Sequence, residues 1–121
     1  MPSTVLVVDD DPNLVRLMSR FLKLEGFAPV QASNGEEALG YLRGGGSASV
    51  ILLDLRMPVM DGWAFRRAQR EDPRLAHIPV VVLTGIDGDH ARDLDAAAAF
   101  QKPVSFPEVA GALRLLCEPG V

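Results

Sequence analysis

Three short runs of apolar, mostly β-branched residues place the strongest limit on what this chain can fold into. They occupy residues 5–8, 50–53 and 79–83, and none shows the polar alternation of a strand with one face in water. Each run therefore predicts a strand that is buried on both faces. Segments with helical periodicity separate the runs. Alternating strands and helices predict a parallel sheet with helices on both faces and right-handed crossovers.

Apolar residues at helical spacing, capping residues and glycine stops predict the remaining elements. They are helices over residues 13–25, 33–43, 61–70 and after Pro103, and strands over residues 27–32 and 98–101. Ser33 and Glu36 have the spacing of a capping box, which predicts that they open the second helix. Ser105 and Glu108 repeat that spacing at the start of the last helix.

Length and composition predict one domain, residues 1–121, and exclude several classes of function. A chain of 121 residues fits one domain, and 48% hydrophobic residues are enough for one buried core. The net charge is −4 and the basic residues form no run, which argues against direct nucleic-acid binding. A single cysteine, Cys117, suits a reducing compartment, and the sequence has neither a signal segment nor an apolar run of about 20 residues. We therefore expect a soluble cytoplasmic protein with no membrane segment.

Carboxylates, a hydroxyl and an ammonium group follow the predicted strands. Asp9 and Asp10 come after the first strand, Asp54 after the third, Thr84 after the fourth and Lys102 after the fifth. Ligands of doubly wound sheets bind beyond the carboxyl ends of the strands, so we expect these groups to meet at one edge. Converging carboxylates repel one another unless one is protonated or a cation binds, and an all-oxygen set suits Mg²⁺. A carboxylate can attack phosphorus, and a metal, a lysine and a hydroxyl can stabilise the transferred group, so the set is complete for phosphoryl transfer.

Four stretches of the chain resemble the response-regulator receiver family and occur in that family's order. They are residues 5–12, 53–62, 82–85 and 101–103. The stretch around Asp54 is the most specific, and the resemblance covers nearly the whole chain. It implies a flavodoxin-like α/β fold, a doubly wound five-stranded parallel sheet of order 2-1-3-4-5 with helices on both faces; the strand order is taken over from the family.

The resemblance also implies a phosphoacceptor and a metal site. Asp54 would accept the phosphoryl group. Asp9, Asp10 and Asp54, together with the backbone carbonyl of Arg56, would hold Mg²⁺, for which Mn²⁺ could substitute. The donor would be a phosphohistidine on a histidine kinase or a phosphotransfer protein. The chain would thus be a phosphoacceptor that promotes its own phosphorylation and dephosphorylation, and not an enzyme that turns over many substrates.

By the same resemblance, Thr84 and Lys102 would contact the phosphoryl group. Thr84 would form a hydrogen bond with it and move inward on phosphorylation, and Lys102 would pair with a phosphoryl oxygen. The bond between Lys102 and Pro103 would be cis. The switched surface would bind an output partner that the sequence does not identify, and a monomer and a weak dimer are equally open.

Two features depart from the family's pattern. The position three residues before Lys102 is usually aromatic and rotates inward when the threonine moves, but here it is Ala99, and Phe100 follows. A shift of one residue on a strand turns a side chain to the opposite face, so we interpret Phe100 as a core residue. The segment from Thr84 to Lys102 is also about one helical turn shorter than usual. The helix expected over residues 86–96 should therefore be short, and signalling by ordering or melting it is a hypothesis.

Two other functions are compatible with parts of the pattern. An aspartate-nucleophile phosphohydrolase uses Asp-x-Asp after the first strand, which Asp9 and Asp11 offer, but Asn13 stands where threonine or valine is typical. Asp11 also precedes Pro12, an arrangement that favours a helix cap. A receiver that has lost phosphorylation and acts as an interaction module is the second, and the complete set of strand-end residues argues against it. No glycine-rich phosphate loop follows the first strand, which argues against nucleotide binding.

Overall fold

The computed structural model of the chain describes residues 2–85 and 94–117, and contains five strands and four helices in that part. The strands are β1 (Thr4–Val8), β2 (Ala28–Ala32), β3 (Val50–Asp54), β4 (Val80–Thr84) and β5 (Ala98–Gln101). The helices are α1 (Pro12–Leu24), α2 (Gly35–Arg43), α3 (Gly62–Glu71) and α4 (Phe106–Cys117). Every predicted element outside residues 86–93 is present, and no end is displaced by more than three residues. None of the described helices is long and apolar enough to cross a bilayer.

The five strands form one parallel sheet in the order β2-β1-β3-β4-β5, as the resemblance implied. The apolar runs are the three inner strands, and every residue of β3 and β4 is buried. An inner strand of a parallel sheet has helices above and below it, which explains why these runs carry no polar residue until their carboxyl ends.

Two apolar clusters fill the space between the sheet and its helices. Leu6 and Val8 of β1 belong to one cluster with residues of α2 and α3, whereas Val5 and Val7 belong to the other with residues of α1 and α4. Successive side chains of a strand point to opposite faces, so one strand contributes to both clusters. The sheet therefore holds all five strand ends in fixed relative positions at one edge.

The start of α2 differs from the predicted capping box. Asn34, not Ser33, caps the helix by accepting a hydrogen bond from the Glu37 amide at 2.9 Å. Glu37, not Glu36, accepts from the backbone and the hydroxyl of Ser33, at 2.9 and 2.7 Å. A contact from elsewhere in the chain accounts for the shift, because the amide of Gly35 donates to the carbonyl of Met60 at 3.0 Å and so sets where the helix begins.

The last helix starts as predicted. Phe100 of β5 faces the core, as the sequence also predicted. Ser105 Oγ accepts from the Glu108 amide at 3.4 Å, which is half of the expected capping box. Phe100 is partly buried and packs on the cluster beneath α1 and α4, whereas Ala99 is exposed on the other side of β5. The one-residue shift does turn the aromatic ring into the core. The helix expected over residues 86–96 falls mainly on residues 86–93, which lie outside the described part of the chain.

Candidate functional site

Three carboxylates meet at the carboxyl edge of the sheet. Asp9 follows β1 directly and Asp54 is the last residue of β3, and these two strands are hydrogen-bonded neighbours. One carboxylate oxygen from each of Asp9, Asp10 and Asp54 lies within 4.8 Å of the others. Asp9 and Asp54 are buried, and Asp10 is exposed. The edge therefore presents a small acidic pocket with one side open to solvent.

Lys102 reaches the same pocket from the end of β5. Its amide donates to the carbonyl of Thr84 at 2.8 Å, so the residue continues the pairing of β5 with β4. Its Nζ lies 2.9 Å from Asp9 Oδ2 and 3.2 Å from Asp54 Oδ1. The bond to Pro103 is cis, as expected. One ammonium group thus bridges two buried carboxylates; below, these four side chains (Asp9, Asp10, Asp54 and Lys102) are called the strand-end site.

Burial and repulsion give the strand-end site an unusual protonation balance. Burial, followed by the charge of Asp9, raises the pKa of Asp54 to about 6, although Lys102 opposes the change. For Lys102, burial lowers the pKa, but the hydrogen bond to Asp9 and the charge of Asp54 outweigh it and the pKa is raised. Asp54 is therefore mostly ionised at neutral pH, at an energetic cost, next to a lysine that keeps its proton.

The donor set fits a hard divalent cation. With all groups ionised, three carboxylates and one ammonium leave two negative charges in the strand-end site, which is the charge one divalent ion neutralises. Its ligands are oxygens only, without cysteine or histidine, and Asp10 is open to water. That combination suits Mg²⁺, which binds through a few carboxylates and keeps several of its waters.

The two other predicted site residues flank the strand-end site. Thr84 ends β4, one residue beyond Leu83, which lies opposite Asp54 in the sheet; it is buried, and its hydroxyl donates to the Gly85 carbonyl at 3.2 Å. Arg56 lies in the loop after β3, with its guanidinium carbon 5.8 Å from the ring centre of Trp63. Arg56, Trp63, Asp10 and Asp61 help to line an open pocket of about 410 Å³ next to the carboxylates. Roles for Thr84 and for the Arg56 carbonyl stay predictions.

Asp11 belongs to α1 and not to the strand-end site. Its carboxylate accepts hydrogen bonds from the amides of Asn13 and Leu14, at 3.0 and 3.3 Å, and so caps the helix as predicted. Its own amide donates to Asp9 Oδ1 at 3.0 Å, which helps to orient that carboxylate. An Asp-x-Asp pair would need Asp11 in the pocket, so this arrangement argues against the phosphohydrolase alternative.

Close backbone packing holds the loop after Asp54, and the capping and periodicity arguments did not identify it. The Gly62 amide donates to the Leu55 carbonyl at 2.8 Å, and a Cβ atom on Gly62 would lie 2.6 Å from the Asp54 carbonyl oxygen. Only glycine allows that approach without a shift of the backbone. The aspartate–glycine pair that opens α3 was the available signal, since the aspartate was already expected near the helix start. We call residues 55–61 the acceptor loop.

Two buried polar residues of α3 also escaped the sequence analysis. Arg66 and Gln69 are 6% and 0% exposed, and both bind backbone carbonyls. Helical periodicity places them on the inner face, but arginine and glutamine are usually read as surface residues. The carbonyls that Arg66 binds are 28 and 29 residues away, and those that Gln69 binds lie in the turn after the helix, so helical periodicity could not reveal either contact.

A family model described as the response regulator receiver domain matches residues 5–114. The response regulator PleD of Caulobacter vibrioides is 37% identical over 108 residues, which are 86% of this chain but 24% of PleD. The polar-differentiation response regulator DivK of Brucella anthropi is 29% identical over 88% of this chain and 89% of its own length. The chain thus spans about a quarter of the first relative and most of the second.

Solved structures agree with the sequence relatives. A response regulator receiver protein from Pseudomonas putida has a TM-score of 0.86 at 26% identity, covering 95% of this chain and 98% of that one. The chemotaxis response regulator CheY4 of Vibrio cholerae has a TM-score of 0.85 at 25% identity, covering 96% and 99%. With the strand order, the acidic pocket and the family match over most of its length, this chain belongs to the response-regulator receiver domain family.

Proposed function

We propose that the chain accepts a phosphoryl group on Asp54 in a Mg²⁺-dependent reaction and thereby switches an output surface. The observation that carries the proposal is the position of Lys102, whose ammonium group bridges Asp9 and Asp54 in a pocket of three carboxylates. A structural ion pair would need one carboxylate. Two spare negative charges at an edge open to solvent instead suit a site that binds a cation and then a phosphoryl group.

The proposed chemistry follows from the state of Asp54. With a pKa of about 6, its carboxylate is mostly ionised at neutral pH and can attack phosphorus. A carboxylate oxygen would form the new P–O bond while the P–N bond of a donor phosphohistidine breaks, and the imidazole would leave with the bonding electrons and take up a proton. The Lys102 ammonium would then exchange its contact with Asp54 for a phosphoryl oxygen. The hydroxyl of Thr84, one residue beyond the strand position opposite Asp54, would donate a second hydrogen bond.

A divalent cation would supply charge neutralisation for the phosphoryl oxygens. Asp9, Asp10 and Asp54 would hold it, with the Arg56 carbonyl as a fourth ligand, and Mn²⁺ could replace Mg²⁺. The carboxylates support this assignment by their proximity to one another, and Asp9 by the hydrogen bond that orients it.

The same proposal covers the setting of the reaction. The chain would act as one receiver domain in the cytoplasm and receive its phosphoryl group from a histidine kinase or a phosphotransfer protein. It would bind a separate output partner, and would bind neither nucleic acid nor membrane directly. As a phosphoacceptor it would be consumed and regenerated with each signal, unlike an enzyme that releases a product and starts again.

Intact mass after incubation with a small phosphodonor tests the proposal. We expect the gain of one phosphoryl group with acetyl phosphate and Mg²⁺, no gain with EDTA, and no gain in Asp54→Asn. Asp61→Asn is the matched control, because Asp61 is a nearby carboxylate that caps α3 and an amide oxygen can keep that cap. The Trp63 indole lies beside the pocket and should report Mg²⁺ binding by fluorescence.

Two results would contradict the proposal in different ways. A phosphoryl group that still appears in Asp54→Asn would place the acceptor elsewhere. Mg²⁺ binding without any phosphoryl gain would leave a metal-binding receiver that signals without phosphorylation, which is the interaction-module alternative.

A further inference from the structure

A buried arginine of α3 binds the chain just before β5. Arg66 donates from Nε to the Leu94 carbonyl at 2.8 Å and from one terminal nitrogen to the Asp95 carbonyl at 3.0 Å. Its other terminal nitrogen donates to Gln69 Oε1 at 2.8 Å. Within the described ranges Arg66 forms no ion pair, and its guanidinium donates instead to two main-chain carbonyls and one side-chain amide. Because the buried guanidinium donates hydrogen bonds to backbone that is distant in sequence, it holds that backbone in place.

Gln69 makes the position of Arg66 rigid. Its Nε2 donates to the carbonyls of Leu75 and Ile78, both at 3.0 Å, while its Oε1 accepts from Arg66. The amide group is thereby fixed between α3 and the turn that leads into β4. The guanidinium is thus fixed by the Gln69 side chain, whose amide nitrogen and oxygen both have hydrogen-bond partners.

The other end of α3 is joined to the acceptor loop. Asp61 caps the helix by accepting from the Ala64 amide at 2.9 Å, and the Gly62 amide donates to the Leu55 carbonyl at 2.8 Å. Gly62 also packs against the backbone of Asp54 and Leu55. A displacement of the acceptor loop must therefore move the first turn of α3, and Arg66 lies one turn further along that helix.

One of the two residues whose carbonyls Arg66 binds has an unfavourable backbone conformation. Asp95 has a φ of +51°, in the left-handed region that non-glycine residues rarely adopt. Three residues later the chain enters β5, which ends at Gln101, directly before Lys102 of the strand-end site. Contacts therefore run from Asp54 through α3 and Arg66 to the chain that enters β5, and from Lys102 after β5 back to Asp54.

We infer that Arg66 couples the acceptor loop to residues 94–97, so that occupancy of the strand-end site changes the stability of the chain entering β5. The inference rests on the proposed function, since it assumes that the strand-end site is filled during signalling. Arg66 is a positioning residue that acts through the backbone it binds. The surface that responds to phosphorylation would include residues 94–97 beside α3, where Trp63, Arg67 and Arg70 line an open groove.

Hydrogen exchange of the full chain measures this coupling directly. Coupling between two sites appears as a change in one equilibrium when the other site is filled, usually by about fivefold or more. With Mg²⁺ and beryllofluoride as the phosphoryl mimic, we expect the exchange rates of amides 94–97 to change by at least about fivefold in the wild-type chain. In Arg66→Met the same addition should leave these rates unchanged, while amides of the acceptor loop respond as in the wild type.

Arg67→Met is the matched control, because Arg67 is an exposed arginine next along α3, and it should respond like the wild type. Arg66→Lys keeps the charge without the planar fork, and should lose most of the response. If Arg66→Met does not fold, the comparison of Arg66→Lys with the wild-type chain still tests the coupling.

A wild-type chain that gains a phosphoryl group without any change at residues 94–97 would overturn the inference and leave the proposed function intact. A full response in both folded Arg66 variants would overturn it too, whereas failure of the wild type to bind beryllofluoride and to gain a phosphoryl group would count against the proposed function itself.

Discussion

Replacing Asp54 by asparagine should stabilise the metal-free protein at neutral pH. The carboxylate of Asp54 is buried, 5% exposed, and ionises at a cost because its pKa is raised from 3.8 to about 6. Burial contributes most to that cost and the charge of Asp9 comes next. Asparagine has nearly the same shape but no charge, so Asp54→Asn removes the cost and leaves the packing of β3 in place.

The expected size of the effect follows from the pKa. A rise of about two units corresponds to roughly 3 kcal/mol of destabilisation by the ionised form, since one unit is worth about 1.4 kcal/mol. The pKa of about 6 already includes the contact between Lys102 Nζ and Asp54 Oδ1, which opposes the rise, so the loss of that contact in the asparagine variant is part of this figure. Lys102 keeps its shorter contact with Asp9 at 2.9 Å. We therefore expect Asp54→Asn to raise the free energy of unfolding by about 3 kcal/mol at pH 7.5.

The pH dependence of stability has a sign that follows from the same rise in the pKa of Asp54. An acid whose pKa is higher in the folded state binds more protons there than in the unfolded chain between the two values, so stability falls as pH rises through that window. For Asp54 the window runs from its ordinary value of 3.8 to about 6. The advantage of Asp54→Asn should thus be small near pH 4 and complete above about pH 7.

Urea unfolding in EDTA at several pH values measures both quantities. Asp72→Asn is a control of opposite sign, because hydrogen bonds with Arg74 hold the pKa of Asp72 below its usual range. That variant should be less stable than the wild type at neutral pH, and the difference should vanish as the pH falls below the ordinary value of an aspartate. If Asp54→Asn proves equal to or less stable than the wild type at pH 7.5, the reasoning that Asp54 is ionised at a cost is wrong.

Substitutions at three further positions test the local structure by urea unfolding at neutral pH. Gly62→Ala places a Cβ atom 2.6 Å from the Asp54 carbonyl oxygen and should cost about 2 kcal/mol, so unchanged stability would mean that the acceptor loop yields easily. Val59 is 76% exposed and has a φ of +69°, so Val59→Asn should gain about 1 kcal/mol, and a loss would show that valine is not strained there. Asp11→Ala removes the cap of α1 and should cost about 1 kcal/mol, whereas Asp11→Asn should cost little; equal losses would point to the charge instead of the hydrogen bonds.

The fold followed from the sequence because its information is local and periodic. The three inner strands are visible as apolar runs, since burial on both faces leaves no place for a polar residue. Ligands of doubly wound sheets bind beyond the carboxyl ends of the strands, so the sequence also predicted that Asp9, Asp54 and Lys102 lie close together. Successive side chains of a strand point to opposite faces, which assigned Phe100 to the core, and the structure confirms that assignment.

Only the tertiary structure decided which of several suitable residues makes a contact. Ser33 and Asn34 can both cap a helix, and the carbonyl of Met60, some 25 residues away, selects the second by binding the Gly35 amide. Arg66 looked like a surface residue because arginine usually is one; its partners are carbonyls 28 and 29 residues away that no local pattern contains. The sequence by itself determined the sheet, its order of elements and the residues at its carboxyl edge. The hydrogen bonds that join distant segments depend on distances in the folded chain, because a backbone carbonyl accepts from any donor that packing brings to it.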